Sequence, residues 1–335
     1  ALDRDTASGS NHASQSVSTT SSHDARTFTE LPATEPLFGE VLSLSPLTKT
    51  IESLNKGAQA FFTCTGCIFH IYDRSDAEKS FNALRPYLEN SGKSWLELVF
   101  QGSIPSHLKP SFCSLCVMAA VGLQYTKNPI PALGFVSSGS DGSHELVSVF
   151  YESARHLLEA VIDTDILEAM KVCAALTVFN TIGHATVAMA YADMGITFAL
   201  SLESSLKLRP SSLGEGLWIK YKRVARTLVT LRSWLVSTLG YVLDENAGLQ
   251  SGIHWLIDSK DSTPNEIIQQ ELNKVVQIEA NLLRTIESFQ AIAPTILSST
   301  QRDLAQWHQQ LPAWMHLSAL IEPSGCALVL RRTSK

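Results

Sequence analysis

From about residue 46 onward, apolar side chains recur every three or four positions almost to the end of the chain, the period of α-helices that each bury one face. Between Glu145 and Asp163 the apolar positions Leu146, Phe150, Ala154, Leu157, Leu158 and Val161 keep this period, and Glu145, Ser148, Glu152, Arg155 and Glu159 take the other side. That predicts an amphipathic helix lying on a core. In "TVAMAYADMGITFALSL" bulky Val187, Tyr191, Met194 and Phe198 run beside small Ala188, Ala192, Gly195 and Ala199. Small residues at that spacing let a neighbouring backbone approach closely, so this helix is expected to be central. Two further seams read as core faces: Leu217, Tyr221, Val224, Leu228, Leu231 and Leu235, then Ile268, Leu272, Val275, Leu282, Ile286 and Phe289, the second interrupted by Glu279.

Helix starts are written as capping boxes at Ser75 with Glu78, Ser212 with Glu215 and Thr263 with Glu266, with Pro264 at a first helical position. Strand signals are confined to "IFHIY" and "ALVL". The expected architecture is therefore all-α, an irregular multi-helix bundle of antiparallel helices. Pro, Gly and Ser place loops at 128–143 and 240–262. Residues 1–22 hold seven serines and three threonines with almost no large apolar group, too little to offset the entropy of ordering. The domain division follows: a disordered Ser/Thr-rich tail or linker over 1–36 and one helical domain over 37–335.

Charge narrows the function classes. With a net charge of −6 and no local concentration of lysine and arginine, the chain lacks the surface a nucleic-acid binder needs. Six cysteines in 335 residues are too few for a disulfide scaffold. Together with the lack of a signal peptide they favour an intracellular protein, and no apolar run reaches the ~18 consecutive residues of a membrane span.

Cys64, Cys67 and His70 fall three residues apart in "CTGCIFH", and Cys113 and Cys116 form a second pair in "CSLC". Structural zinc sites usually separate their two pairs by about 15 to 20 residues, whereas 45 residues and a whole predicted helix lie between Cys67 and Cys113. The helix carrying CSLC is apolar on most sides, which suits buried thiols acting as small hydrophobes. No metal site is expected. "KYKR" with Arg226 and Arg232 reads as the flank of an amphipathic helix, with Arg226 structural, more readily than as a phosphate face. Cys326 in "SGC" lacks the upstream Phe and Gly of a haem-thiolate loop. Neither Asp163 with Asp165 nor Asp258 with Asp261 makes an Asp-rich metal motif on one helix face. No catalytic, cofactor-binding or metal residue is assigned, and the chain is not read as an enzyme.

Taken in order, four segments resemble the regulatory region, or fungal-specific transcription factor domain, of fungal binuclear zinc-cluster transcription factors. "TCTGCIFHIYDRSDAEKSF" is similar to its opening segment. "FYESARHLLEAVIDTDILEAMKVCAALTVFNTIGHATVAMAYADMGITFALSLES" is similar to its core, a tyrosine-and-arginine helix followed by an N…A…Y…G…A hairpin. "YKRVARTLVTLRSWLVSTLGY" resembles the arginine-containing helix that follows, and "LAQWHQQLPAW" the Trp…Leu-Pro closing segment. The resemblance spans about residues 46–330.

It implies a nuclear regulatory domain that controls a metabolic pathway or gene cluster through ligand- or partner-dependent conformational change. The implied partners are a small-molecule effector or a co-regulator protein. A homodimer stays open, and no membrane or sequence-specific DNA contact is expected of this chain alone. The family's zinc cluster needs six closely spaced cysteines, which Cys64, Cys67, Cys113, Cys116, Cys173 and Cys326 are not. Zinc is therefore expected only in a DNA-binding module before Ala1, and the apolar helix expected after the closing segment is missing. The chain is read as a fragment, an alternative gene model or a shortened paralogue, with an apolar groove left uncovered. The alternatives are a tetratricopeptide-like scaffold, from Ala188, Tyr191, Gly195 and Ala199, and, third, an all-α enzyme with an unrecognised site.

Overall fold

The computed structural model describes residues 47–66, 68–127, 142–206, 214–239, 264–289 and 294–316, and every regular element among them is helical. The α-helices are α1 (Leu47–Thr63), α2 (Arg74–Asn90), α3 (Trp95–Val99), α4 (Lys109–Lys127) and α5 (Gly142–Ile162), then α6 (Ile166–Asn180), α7 (Ala185–Leu206), α8 (Glu215–Leu239), α9 (Pro264–Phe289) and α10 (Pro294–Gln310). Short 3-10 turns at Ser106–Leu108 and Ala313–Met315 precede α4 and follow α10. The fold is all-α. "IFHIY", expected as a strand candidate, is irregular chain leading into α2, while "ALVL" lies outside the described residues. So do the tail over 1–36, Ser212, Thr263, the loop at 240–262 and all of the loop at 128–143 except Gly142 and Ser143, which open α5.

The core is built on α4 and α6, the helices with the longest unbroken buried runs. Residues 112–122 of α4 are buried without a break, and α6 buries Ala169, Met170 and then 172–178. Such helices need cover on every side. α1, α2, α5 and α6 supply it around α4, and α5, α7 and α8 around α6. The stretches 106–126 and 185–202 are long and apolar enough to cross a membrane by composition alone, and the first is this enclosed core helix. Gly57 and Gly122 bring α1 and α4 almost backbone to backbone: a Cβ on Gly122 would overlap the Gly57 carbonyl oxygen. Aromatic residues fill the space beside them, with Trp95 against both Phe112 and Phe150 and its indole N–H donating to Ser153 Oγ at 2.9 Å.

The amphipathic reading of α5 holds, with Phe150, Ala154, Leu157, Leu158 and Val161 buried, Glu145, Ser148, Arg155 and Glu159 exposed, and Leu146 and Glu152 half-buried. Four other expectations are corrected. α7 buries its small stripe, Ala188, Ala192, Gly195 and Ala199, against α6 and α8, but Tyr191, Met194 and Phe198 are half-buried and Val187 is exposed, so the helix lies at the side of the core. On α8, Tyr221, Val224, Leu228, Leu231 and Leu235 are buried, whereas Leu217 is exposed in the first turn. On α9 the seam Ile268, Leu272, Val275, Leu282 and Ile286 is only half-buried. The buried stripe is instead Gln269, Asn273, Val276 and Ala280, and Gln269 donates across the interface to Thr227 and the Arg223 carbonyl of α8. Finally, α2 starts at Arg74, ahead of the Ser75 cap that the capping box predicts.

Candidate functional site

That early start of α2 has a chemical cause. Asp73 occupies the N-cap position in extended geometry but makes no cap bond, because its carboxylate is committed across the interface to α8. Arg223 donates through Nη1 to Asp73 Oδ1 at 2.8 Å and through Nη2 to Oδ2 at 2.9 Å, a bidentate pair in which only 6% of the arginine side chain is exposed. Lys220, one turn earlier on α8, reaches Asp76 Oδ2 at 2.5 Å and lies 4.0 Å from Asp73. His70 Nε2 completes the group, 3.4 Å from Asp73 Oδ1 and 3.3 Å from Arg223 Nη1. Burial by itself would raise the Asp73 carboxyl. The hydrogen bonds from His70 and Arg223 and the arginine's charge outweigh it and hold the group far below the usual carboxylate range.

A second polar centre joins α5, α6 and α7. Tyr151 donates to Asn180 Oδ1 at 3.2 Å and stacks on Phe179, while Arg155 donates from Nε to the Tyr191 hydroxyl at 3.1 Å and from Nη1 to Glu152 at 2.9 Å. Burial, with the Tyr191 hydroxyl close by, pushes the Tyr151 phenol up to about 12. Gly195 sits where a Cβ would come within 2.7 Å of Leu228 and 3.1 Å of Cys173, and Tyr221 donates to the Ala199 carbonyl at 2.9 Å. Tyr151 and Arg155 of α5 thus meet Asn180 and Tyr191, whereas Gly195 and Ala199 face α6 and α8.

A third network passed unnoticed in the sequence. Tyr72 donates to Ser114 Oγ at 3.2 Å, Ser114 donates to Glu168 Oε1 at 2.5 Å, and Lys171 holds Glu168 Oε2 at 2.7 Å. Burial, reinforced by the Glu168 charge, pushes the Tyr72 phenol well up. Tyr72, Ser114 and the Glu168–Lys171 pair lie far apart in the chain, and no local motif marks them. The network ties the segment before α2 to α4 and α6.

The cysteines, acidic pairs and basic run weighed above as metal or phosphate candidates are dispersed. Cys113 donates to the Ala154 carbonyl at 3.3 Å, Cys116 and Cys173 lie in the core, and Cys64 donates to the Ala60 carbonyl of its own helix at 3.0 Å. Burial pushes all four thiols up, Cys173 to about 12. Cys67, Cys326, Asp258 and Asp261 lie outside the described residues, and among those described no three His, Cys, Asp or Glu side chains are grouped to hold a metal. Asp165 caps α6 by accepting from Glu168 N at 3.0 Å. The basic residues of α8 are spent inside the chain: Lys222 lies over Trp218, Arg232 pairs with Asp193 at 2.5 Å, and Arg226 is 4% exposed with Glu266 close enough to oppose the effect of burial on its charge.

One cavity of about 530 Å³ lies between α1 and α2 over Leu115 of α4. Its α1 wall carries Lys56 and Phe62 and its α2 wall Arg74, Glu78 and Phe81. No family model, curated protein or solved structure matches this chain.

Proposed function

We propose that the chain is the regulatory region of a fungal zinc-cluster transcription factor, acting in the nucleus as a conformational relay without catalysis or a resident cofactor. The observation that supports this reading is the meeting of the resembling segments through their own signature residues. The opening segment gives Asp73 and His70 to Arg223 of the arginine helix, and the tyrosine-and-arginine helix gives Tyr151 and Arg155 to Asn180 and Tyr191 of the hairpin, while Trp307 of the closing segment donates at 3.0 Å to Glu271 of α9, outside the four segments. A regulator also needs two arrangements that a partner or effector binds with different affinity. The polar α8–α9 interface supports that requirement, since hydrogen-bonded contacts exchange with less loss than an interlocked apolar core.

The test fuses the chain to an unrelated DNA-binding domain and reads a reporter gene in a fungal cell. The fusion is expected to change reporter output relative to the DNA-binding domain alone, and Arg223→Met is expected to shift that change. Output equal to the bare DNA-binding domain for both fusions defeats the proposal. DNA binding by the chain alone, assayed at ~150 mM salt, is expected to be weak and equal for promoter and scrambled sequences. A sequence preference of ~10³ or more counts against it.

A further inference from the structure

The α1–α2 cavity has the form of a ligand site with a defined charge. α1 and α2 each contact α4 more extensively than they contact each other, so an open groove separates them above Leu115. Lys56, Gln59 and Phe62 with Thr63 face it from α1, and Arg74, Glu78 and Phe81 from α2, in both cases the spacing of a single helix face. The floor is apolar, made by Phe62, Phe81 and Leu115. The rim is charged. Arg74 lies with its guanidinium carbon 5.4 Å from the centre of the Phe62 ring, a stack that orders the cation across the groove mouth. Neither Lys56 nor Arg74 forms an ion pair with another described residue, although Glu78 lies one turn after Arg74. Two cations and one carboxylate leave the rim with a single net positive charge, which matches a monoanion better than a phosphate dianion.

We propose that this groove binds a small amphipathic monocarboxylate, its head between Lys56 and Arg74 and its apolar body over Phe62, Phe81 and Leu115. The volume of about 530 Å³ falls within the range of small-molecule pockets. Arg74 directly follows Asp73, so a carboxylate that pulls on Arg74 acts next to the Asp73–Arg223 pair linking α2 to α8. That regulatory consequence rests on the function proposed above, whereas the binding itself does not.

Isothermal titration of the full chain with decanoate, with decanol as the uncharged control, tests the site. Saturable decanoate binding, with decanol about tenfold weaker or worse, is expected, because a charge-assisted contact is lost. K56M and R74M should each weaken decanoate by about tenfold, and E78Q should leave it equal or tighter. All three positions are exposed, so circular dichroism of the variants should match the parent. No saturable binding, equal binding of decanol, or decanoate binding unchanged in both K56M and R74M overturns the site. Decanoate that binds as described but leaves the fused reporter unmoved upholds the site and counts against the regulatory function.

Discussion

Asp73 stands where a helix cap belongs and serves instead as the anion for Arg223, 150 positions along the chain. The exchange is favourable because a helix start exposed to water can satisfy its N–H groups there, whereas a buried guanidinium without an acid has no cheap substitute. Asp73→Asn should therefore destabilise the chain by about 2–3 kcal/mol in urea unfolding, between the limits for exposed and buried pairs. Part of that loss should return in the double variant with Arg223→Met, which removes the stranded charge. The pH dependence has a definite sign. The folded carboxyl lies below the unfolded value of ~3.9, so its contribution is complete above about pH 5 and is lost as pH falls below about 4 towards the folded pKa. The stability gap between the parent and Asp73→Asn should stay constant from about pH 5 to 7 and close on further acidification. A gap that widens in acid contradicts the assignment.

Helix packing separates what periodicity reveals from what it hides. The existence of the long helices and the buried faces of α4, α5 and most of α8 were legible, because apolar burial dominates there and the 3.6-residue period reports it directly. The face of α9 was not. Its apolar stripe and its buried stripe differ by one residue, and the choice was made by Thr227, which accepts from Gln269 across the interface, together with the buried arginines of α8. α3 was also missed, although Ser94 and Glu97 form a complete capping box, since five residues are too few to show a period. The ion pairs and the Tyr72–Ser114–Glu168 network depend on residues distant in sequence, which no local pattern reports. Small residues, in contrast, predicted close packing correctly, and their substitution grades it. Gly122→Ala would drive a Cβ into the Gly57 backbone and should cost about 3 kcal/mol or more, while Gly195→Ala meets the tip of Leu228, which can rotate, and should cost about 1–2 kcal/mol. Thermal melts giving the reverse order would show that the packing of α7 against α6 and α8 is tighter than the α1–α4 crossing.

At the scale of the whole molecule, stability should fall from the α4–α6 centre towards the C-terminal helices, because the kind of contact changes along the way. α4 and α6 are buried nearly all round by apolar side chains. α9 joins α8 through Gln269, which donates to Thr227, and among its described apolar residues buries only Val276 and Ala280. α10 has no buried residue, and its tie to α9 runs through the Trp307 indole donating to Glu271, which Lys274 also holds at 2.7 Å. Hydrogen-bonded attachments of this kind contribute ~1 kcal/mol each, far less than an apolar face, so segments held by them open locally. Native-state hydrogen exchange is therefore expected to show α10 amides losing protection first, α9 next, and α4 and α6 only with global unfolding. Trp307→Phe, which keeps an aromatic ring and removes the N–H donor, should lower protection in α10 while leaving the main thermal transition within roughly 2 °C. Equal protection of α10 and α4 would instead make the helices one cooperative unit, and the polar α8–α9 contact would then be a lock rather than the joint through which a regulatory change passes.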